Sequence, residues 1–358
     1  MGERRIPAAI EQLLHPGQIL DHKYRVEQLI GMGGMGAVWS GVNKRTGKRV
    51  ALKMLLQSLA DNEIARERFR REALAAGRIN HPNVVTVFDV FDHEGRDCLV
   101  MEYMVGESLA DRLARTGPLE PDEAFPLLLP ALRGVAAAHV HQVVHRDLKP
   151  HNIFLCTGPD GNYVTTKVLD FGISKILEAG PGGEELTMAG KAVGTPNYMA
   201  PELLSGNRDV SRRTDVYGFG AVLYETLSGH RPFEGLAGIP LLDQIVHERP
   251  TPMTVFQPGL APDVVALVER AMAKEPRGRF RSIEMLIGAM EYLLPPISKL
   301  HPLTPVVGVP IISAAELMGL SGERLAPRRA HLPWIVAGVM SLAALGLGLW
   351  ILLNGAGR

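Results

Sequence analysis

Acidic and amide side chains recur in two short segments near the middle of the chain. Residues 145–152 read His-Arg-Asp-Leu-Lys-Pro-His-Asn, with Asp147 and Asn152 five residues apart, and Asp-Phe-Gly follows at 170–172. Carboxylate and amide oxygens suit a hard cation that shares its coordination shell with phosphates. A further carboxylate could orient a hydroxyl group for in-line attack. Residues of these types could therefore serve phosphoryl transfer, although the simpler alternative is a solvated polar loop.

A glycine-rich segment lies well ahead of these residues. It contains Gly-x-Gly-x-x-Gly at Gly31, Gly33 and Gly36, and glycines let a backbone approach a polyphosphate without a Cβ in the way. The same pattern can be an ordinary tight turn, and it marks dinucleotide sites where a helix opens directly after it. Here a strand pattern follows, so the sequence predicts a hairpin whose glycine loop could cover phosphates from above.

A single lysine interrupts the apolar strand that follows. Lys53 ends the run Val-Ala-Leu-Lys, and a buried ammonium group is costly unless it is paired. The simpler alternative is a strand lysine that faces solvent. An acidic partner is available at Glu72, in a charged helical pattern, and a Lys–Glu pair could hold the ammonium group against the α- and β-phosphates.

The order of these segments resembles that of the eukaryotic-type, or Hanks-type, protein kinase family. The glycine loop, the lysine strand, residues 145–152 and residues 170–172 follow one another as they do in that family. The resemblance extends from Tyr24 to about Leu294 and is closest to the bacterial membrane-anchored members. It implies ATP as the phosphate donor and Mg²⁺ as the metal, with Mn²⁺ as a substitute.

The resemblance also implies a role for each polar residue of the cleft. Asp147 matches the residue that orients the substrate hydroxyl group, and Lys149 matches a lysine that contacts the γ-phosphate and marks a preference for serine or threonine. Asn152 and Asp170 match the two metal ligands. Lys53 and Glu72 complete the predicted catalytic residues.

The resemblance places the adenine between the glycine loop and residues 101–104, which look like the hinge between two lobes. Met101 would guard the space behind the adenine, although an ordinary core position explains a buried methionine equally well. The predicted nucleotide-binding residues are Ile30, Gly31, Met32, Gly33, Gly34, Met35, Gly36, Ala37, Val38, Lys53, Glu102 and Met104.

Residues 194–202 resemble the end of a kinase activation segment, which closes with Ala-Pro-Glu. The resemblance assigns Thr195 to the pocket that receives a serine or threonine of the substrate. It also implies that Glu202 pairs with Arg279 in a buried ion pair with a structural role.

Phosphorylation is the expected control of the loop that precedes Thr195. Family members with an arginine at the position of Arg146 are usually controlled in this way. Thr187 is the predicted site of autophosphorylation because of its place eight residues before Thr195. A phosphate there would add about −1.5 to −2 charge and three acceptor oxygens. Arg146, Lys175 and Arg68 match the positions of a basic cradle for it.

The predicted fold is α+β and two-lobed. A five-stranded antiparallel sheet with one helix is expected in the small lobe and hinge (24–104), and a mainly helical large lobe follows at 105–294. Long helical periods occur at Pro121–His141, Asp215–Ser228, Ala261–Lys274 and Ser282–Leu294. The other predicted regions are an N-terminal extension (1–23), a juxtamembrane linker (295–331), a transmembrane helix (332–353) and a short extracytoplasmic tail (354–358).

Composition agrees with such a fold. The 358-residue chain is 46% hydrophobic and balances 38 Lys+Arg against 38 Asp+Glu, so it can bury a sizeable core and gives no sign of a nucleic-acid partner. Cys98 and Cys156 are the only cysteines, and neither has a neighbouring His or Cys. This argues against a disulfide framework or a zinc site and fits a reducing cytosol.

The C-terminal run Leu332–Leu353 predicts a membrane anchor. Its 22 uncharged residues can span a hydrocarbon core of roughly 30 Å as a helix, and Trp334 and Trp350 lie near its ends. A buried helix is the alternative, but the run lacks a polar stripe. The excess of arginine before the run favours a cytoplasmic catalytic domain at the plasma or inner membrane. The helix would contact lipid and could pair two chains, although small residues are common in such helices.

Three functions fit this pattern: a protein kinase, a silent membrane-tethered scaffold of pseudokinase type, and a small-molecule kinase. Silent relatives usually lack the lysine or one of the aspartates, whereas Lys53, Asp147, Asn152 and Asp170 are all present. The intact segment 194–202 disfavours a small-molecule substrate. The sequence therefore predicts ATP-dependent phosphorylation of Ser/Thr hydroxyl groups in protein substrates, with the scaffold as the alternative.

Overall fold

The computed structural model describes residues 14–32, 36–56, 63–171, 196–204, 210–234 and 239–294. Its strands are β1 (Ile19–Leu20), β2 (Tyr24–Met32), β3 (Gly36–Asn43), β4 (Arg49–Leu55), β5 (Val87–His93), β6 (Arg96–Glu102), β7 (Gly106–Ser108), β8 (Ile153–Thr157) and β9 (Tyr163–Val168). Its helices are α1 (Glu63–Gly77), α2 (Leu109–Thr116), α3 (Pro121–Val140), α4 (Pro201–Leu204), α5 (Arg212–Ser228), α6 (Ile239–His247), α7 (Met253–Phe256), α8 (Pro262–Ala271) and α9 (Ile283–Leu293).

The small lobe is an antiparallel sheet in the order β1-β2-β3-β4-β6-β5, with α1 packed on β5 and β6. The prediction of five strands is wrong by one, because the short strand β1 pairs with the start of β2. Leu14 and Leu20 are buried in the core of this sheet. The last part of the predicted N-terminal extension therefore closes one edge of the small lobe, since its apolar side chains need cover from water.

The large lobe is built around α5, most of whose residues are buried. Helices α3, α8 and α9 pack against it, as expected for a helix without a solvent face. Ser211 begins α5 through a capping box with Thr214, and Gly229 ends it in the left-handed conformation. The helix therefore starts three residues before the predicted Asp215.

The lobes meet at a small sheet of β7, β8 and β9 and at the loop that precedes β5. In this loop, the Val85 amide donates to Val168 O at 3.0 Å, and the Val168 amide donates to Asn83 O at 2.8 Å. The Asn83 side chain also donates to the carbonyl oxygen of Thr166 at 2.9 Å. The loop is thus hydrogen-bonded to β9, the strand that leads to Asp170.

The predicted linker, transmembrane helix and tail lie outside the described residues. Among the helices of the described ranges, none combines the length and the apolar character that crossing a bilayer requires.

Candidate active site

The segment 145–152 is held from below by one carboxylate of α5. Asp215 accepts hydrogen bonds from the backbone amides of His145 and Arg146, each at 2.8 Å, and lies 2.7 Å from Nε2 of His139. Asp215 and His139 are fully buried. Arg146 has a φ of 64°, which is uncommon outside glycine and persists only where the surroundings impose it. The backbone directly before Asp147 is therefore fixed by the core of the large lobe.

The ring of His145 ties this segment to the strand end that carries Asp170. Its Nε2 donates to Leu169 O at 2.8 Å, and its Nδ1 accepts from the Asp147 amide at 3.2 Å. The ring also packs against Phe171, with 4.7 Å between the ring centres. Burial lowers the pKa of His145. These partners require the neutral ring, because a second ring proton would remove the acceptor for Asp147.

Three predicted residues come together in front of this support. Lys149 Nζ lies 2.7 Å from Oδ2 of Asp147. The Asn152 amide group donates to the Asp147 carbonyl oxygen at 2.8 Å and to Asp147 Oδ2 at 3.2 Å. Lys149 and Asn152 are buried, while the Asp147 side chain is 16% exposed. The carboxylate that could receive a hydroxyl group is thus oriented by two buried neighbours and reaches the surface of the cleft.

Lys53 and Asp170 join the two lobes across the cleft. Lys53 Nζ lies 3.0 Å from Asp170 Oδ1, and the lysine side chain is only 4% exposed. This excludes the alternative of a solvent-facing strand lysine. The side chain of Glu72, the partner predicted for Lys53, lies outside the described part of the structure, so that pair stays a prediction. Asp170 has a φ of 46°, so its carboxylate is presented from a strained backbone.

The side chains that would hold a divalent cation fit that role. Oδ1 of Asn152 is buried and, among the residues that the structure describes, has no hydrogen-bond partner, an unusual state for an amide oxygen. The carboxylate of Asp170 supplies the second oxygen donor. Amide and carboxylate oxygens are the ligands that Mg²⁺ and Mn²⁺ prefer.

An apolar surface next to these residues could receive a flat base. It is formed by buried side chains of both lobes, with Ile30 packed against them: Val38, Ala51, Val85, Met101, Met104, Phe154, Cys156 and Leu169. The Glu102 carboxylate accepts from the Thr86 amide and from Lys167 Nζ, both at 2.7 Å. Of the predicted residues of the glycine loop, Gly31, Met32, Gly36, Ala37 and Val38 lie on the β2–β3 hairpin, whereas Gly33, Gly34 and Met35 lie outside the described residues.

Residues 24–289 match the family model for the protein kinase domain. The chain belongs to the protein kinase family. Its kinase domain is 40% identical over 271 residues to the serine/threonine-protein kinase PknA of Mycobacterium tuberculosis, an alignment that covers 74% of this chain and 60% of that relative. It is 39% identical over 272 residues to the serine/threonine-protein kinase pkn3 of Myxococcus xanthus, covering 75% of this chain and 49% of the relative. The chain therefore spans about 60% or less of the length of these relatives.

The two-lobed kinase fold is confirmed by solved structures. The kinase domain of Mycobacterium tuberculosis PknI superimposes with a TM-score of 0.61 and 25% sequence identity, and the match covers 78% of this chain and 98% of that structure. The fold and the family thus agree with the order of motifs in the sequence.

The predicted pair of Glu202 and Arg279 is confirmed. The two guanidinium nitrogens Nη1 and Nη2 each lie 2.7 Å from a carboxylate oxygen of Glu202. The remaining donors of Arg279 reach the carbonyl oxygens of Ala273, Arg213 and Lys274 at 2.7, 3.0 and 2.8 Å. All five N–H groups of this buried kinase arginine are therefore satisfied.

The residues predicted to regulate the kinase are only partly described. Arg146 is half-buried, and its Nε and Nη1 have no hydrogen-bond partner in the described ranges. Burial lowers the pKa of this guanidinium group. Lys175, Thr187 and Thr195 lie outside the described residues, and so does the side chain of Arg68.

Two supports of the kinase site were missed from the sequence. One is Asp215. The other is Asp97 on β6, a buried carboxylate that accepts from Nε of Arg66 at 3.2 Å and from Nε of Arg70 at 2.9 Å. These arginines belong to α1, so Asp97 ties that helix to the sheet. A lone aspartate in an apolar strand with arginines on the preceding helix is the only sequence signal for this contact.

Proposed function

We propose that this chain is an ATP-dependent serine/threonine protein kinase that transfers the γ-phosphate of ATP to hydroxyl groups of protein substrates. The observation that carries the proposal is the cluster of Asp147, Lys149 and Asn152, which faces the Lys53–Asp170 pair across the cleft. The printed names of the relatives support it. The alternative of a silent scaffold gains no support, because every side chain of that cluster is present.

The residues divide the work of phosphoryl transfer among them. Asp147 would orient the substrate hydroxyl group and accept its proton, and Lys149, 2.7 Å away, would place positive charge beside the transferred group. Asn152 and Asp170 would hold Mg²⁺ or Mn²⁺, which neutralises charge on the phosphate oxygens when bound. Lys53 would fix the inner phosphates, since it lies on the sheet beneath the glycine loop.

Substitution of the proposed proton acceptor tests the proposal. Asp147→Asn should keep nucleotide affinity within about twofold and lower transfer to a protein substrate by about 10²-fold or more, because the amide cannot accept the proton. Asp263→Asn, an exposed aspartate of α8, is the matched control and should keep full activity. Equal turnover by Asp147→Asn and wild type would overturn the assignment.

We also propose that the kinase phosphorylates itself at Thr187 and that Arg146 receives the phosphate. Two buried nitrogens of Arg146 have no acceptor in the described part of the chain, and this supports the step, since a phosphate would supply acceptors for them. Mass spectrometry of ATP-treated protein should find the phosphate at Thr187. Fully active enzyme with unmodified Thr187 would contradict the proposal.

We also propose that the kinase is attached to a membrane. The uncharged run at 332–353 would anchor the kinase domain on the cytoplasmic side, in contact with lipid, and could bring two chains together. Full-length protein should sediment with membranes and resist salt extraction, whereas a chain that ends at Pro295 should not. Crosslinking that gives no more dimer for the full chain than for the shortened one would count against pairing by the helix.

A further inference from the structure

A cavity of about 500 Å³ lies in the large lobe and shares no lining residue with the proposed catalytic cluster. It opens where the end of α3, the start of α5 and the segment before α9 meet. Its lining residues are His139, Gln142, Val144, Ser211, Arg212, Arg213 and Arg281. Sites for small molecules commonly fall between about 300 and 1,000 Å³.

The walls of this cavity are strongly basic. Three of its lining residues are arginines, and within the described ranges none of the three has a carboxylate at ion-pair distance. One guanidinium nitrogen of Arg212 donates to His139 O at 2.8 Å. The start of the 17-residue helix α5 adds the positive end of the helix dipole.

Glu284, an acidic residue of α9, responds to this positive charge. Burial would raise the pKa of Glu284, but the hydroxyl group of Ser282, the backbone and the charges of His139 and Arg212 together lower it. Glu284 has its own hydrogen-bond donor and is not a lining residue of the cavity. The cavity thus combines positive potential with room for a ligand.

One lining residue of this cavity is almost completely buried. His139 is 1% exposed, its Nε2 is 2.7 Å from Asp215, and its Nδ1 has no hydrogen-bond partner within the described ranges. Buried polar atoms without a partner are rare in folded proteins. His139 therefore connects the cavity to the buried carboxylate of Asp215.

We propose that this cavity binds the phosphate group of a small phosphorylated compound. Guanidinium groups present a planar fork of donors that matches phosphate oxygens, which favours phosphate over a spherical anion such as chloride. The volume exceeds what a bare phosphate needs, so the rest of the compound would occupy the remaining space. The inference goes beyond the proposed catalytic function, and binding can be measured without any kinase activity.

A ligand in this cavity would contact the support of the catalytic segment. His139 and the backbone amides of His145 and Arg146 share the carboxylate of Asp215. A phosphate held by the arginines would therefore lie next to a residue that is hydrogen-bonded to the carboxylate fixing the chain directly before Asp147. The bound phosphate should for this reason alter the ring signals of both His139 and His145 in nuclear magnetic resonance spectra.

Calorimetric titration of the full chain tests the site, with inorganic phosphate and glycerol phosphate as probes and chloride at equal ionic strength as the reference. Arg213→Gln with Arg281→Gln should weaken binding of both probes by about tenfold or more. The matched control, Arg249→Gln with Arg277→Gln, removes the same charge from exposed positions and should bind as wild type does. Glycerol phosphate should bind more tightly than inorganic phosphate.

Several results would overturn the proposal. They are equal affinity in the two double variants, no binding of either probe to wild type, or a phosphoserine peptide that binds more tightly than glycerol phosphate. Arg281→Gln alone changes one exposed side chain and gives a second test if the double variant unfolds. Because neither arginine lies in the nucleotide cleft, a loss of binding in these variants distinguishes the cavity from that cleft.

Discussion

Replacing Glu202 by glutamine should lower the free energy of unfolding by about 3–5 kcal/mol, because the buried charge of Arg279 would lose its counter-charge. The guanidinium group makes two hydrogen bonds of 2.7 Å to the carboxylate, and both side chains are at most 4% exposed. Carbonyl oxygens would still surround the arginine, but they carry no net charge. The glutamine side chain would also turn an N–H₂ group toward a cation.

A second ion pair of the large lobe provides the matched control. Arg133 and Glu291 are 2.9 Å apart, with side chains 53% and 47% exposed. Exposed pairs contribute about 0–1 kcal/mol, so Glu291→Gln should lower the free energy of unfolding by no more than that. The two variants make the same chemical change at opposite extremes of burial.

Urea unfolding followed by circular dichroism measures both variants. The free energy in water is obtained by linear extrapolation, and the slope with urea should stay unchanged if only stability is affected. Equal losses in Glu202→Gln and Glu291→Gln would refute the reasoning from burial.

Three further measurements address the supports of the site and the packing of the lobes. In urea unfolding, acidification from about pH 7.5 to about pH 5.5 should destabilise wild type by up to about 1.4 kcal/mol more than it destabilises His145→Phe. The folded-state pKa of His145 is lowered, so the neutral ring contributes stability above the unfolded-state pKa of about 6.5, and this contribution is lost as the pH falls below that value. An equal pH dependence would contradict this. Asp97→Asn should lower the free energy of unfolding by about 1–3 kcal/mol and speed hydrogen exchange in α1, because two arginines lose the carboxylate that binds them. Unchanged exchange in α1 would show that Asp97 does not anchor this helix. Gly134→Ala should destabilise by about 1–3 kcal/mol, since its Cβ would lie 2.5 Å from a backbone carbonyl oxygen, whereas Gly288→Ala, with open space around it, should stabilise by about 0.5–1 kcal/mol. Melting temperatures that move in the same direction would contradict the last pair.

The proximity of the polar residues of the cleft could be predicted from the sequence, because they lie in short motifs. Asp147, Lys149 and Asn152 are neighbours in the chain, so local geometry alone brings them together. The contact of Lys53 with Asp170 was not predicted, because Asp170 lies 117 residues away and no pattern in either segment specifies the contact. The sequence analysis paired Lys53 with Glu72 instead.

Other features depend on contacts that leave no local pattern. Strand β1 has two residues, too few for an alternation of apolar and polar side chains to be visible. The sequence analysis predicted the start of α5 three residues too late, because the charged residues of its first turn hide the apolar periodicity. The helix begins earlier because Ser211 caps it. The supporting role of Asp215 could not be predicted from the sequence, because the backbone amides that it binds lie about 70 residues away in the chain and carry no sequence pattern.

The hydrogen bonds of Asn83–Val85 also have a mechanical consequence. By chain position this loop belongs to the small lobe, but it is fastened to β9, and Gly134 of α3 lies against its backbone. The hinge at 101–104 is the second place where the small lobe is joined to the large one. A rigid body held at these two backbone connections keeps one free rotation, about the line that joins them, and this rotation would change the distance between Lys53 and Asp170. We therefore expect the cleft to open and close along a single arc, with the β2–β3 hairpin as the moving edge.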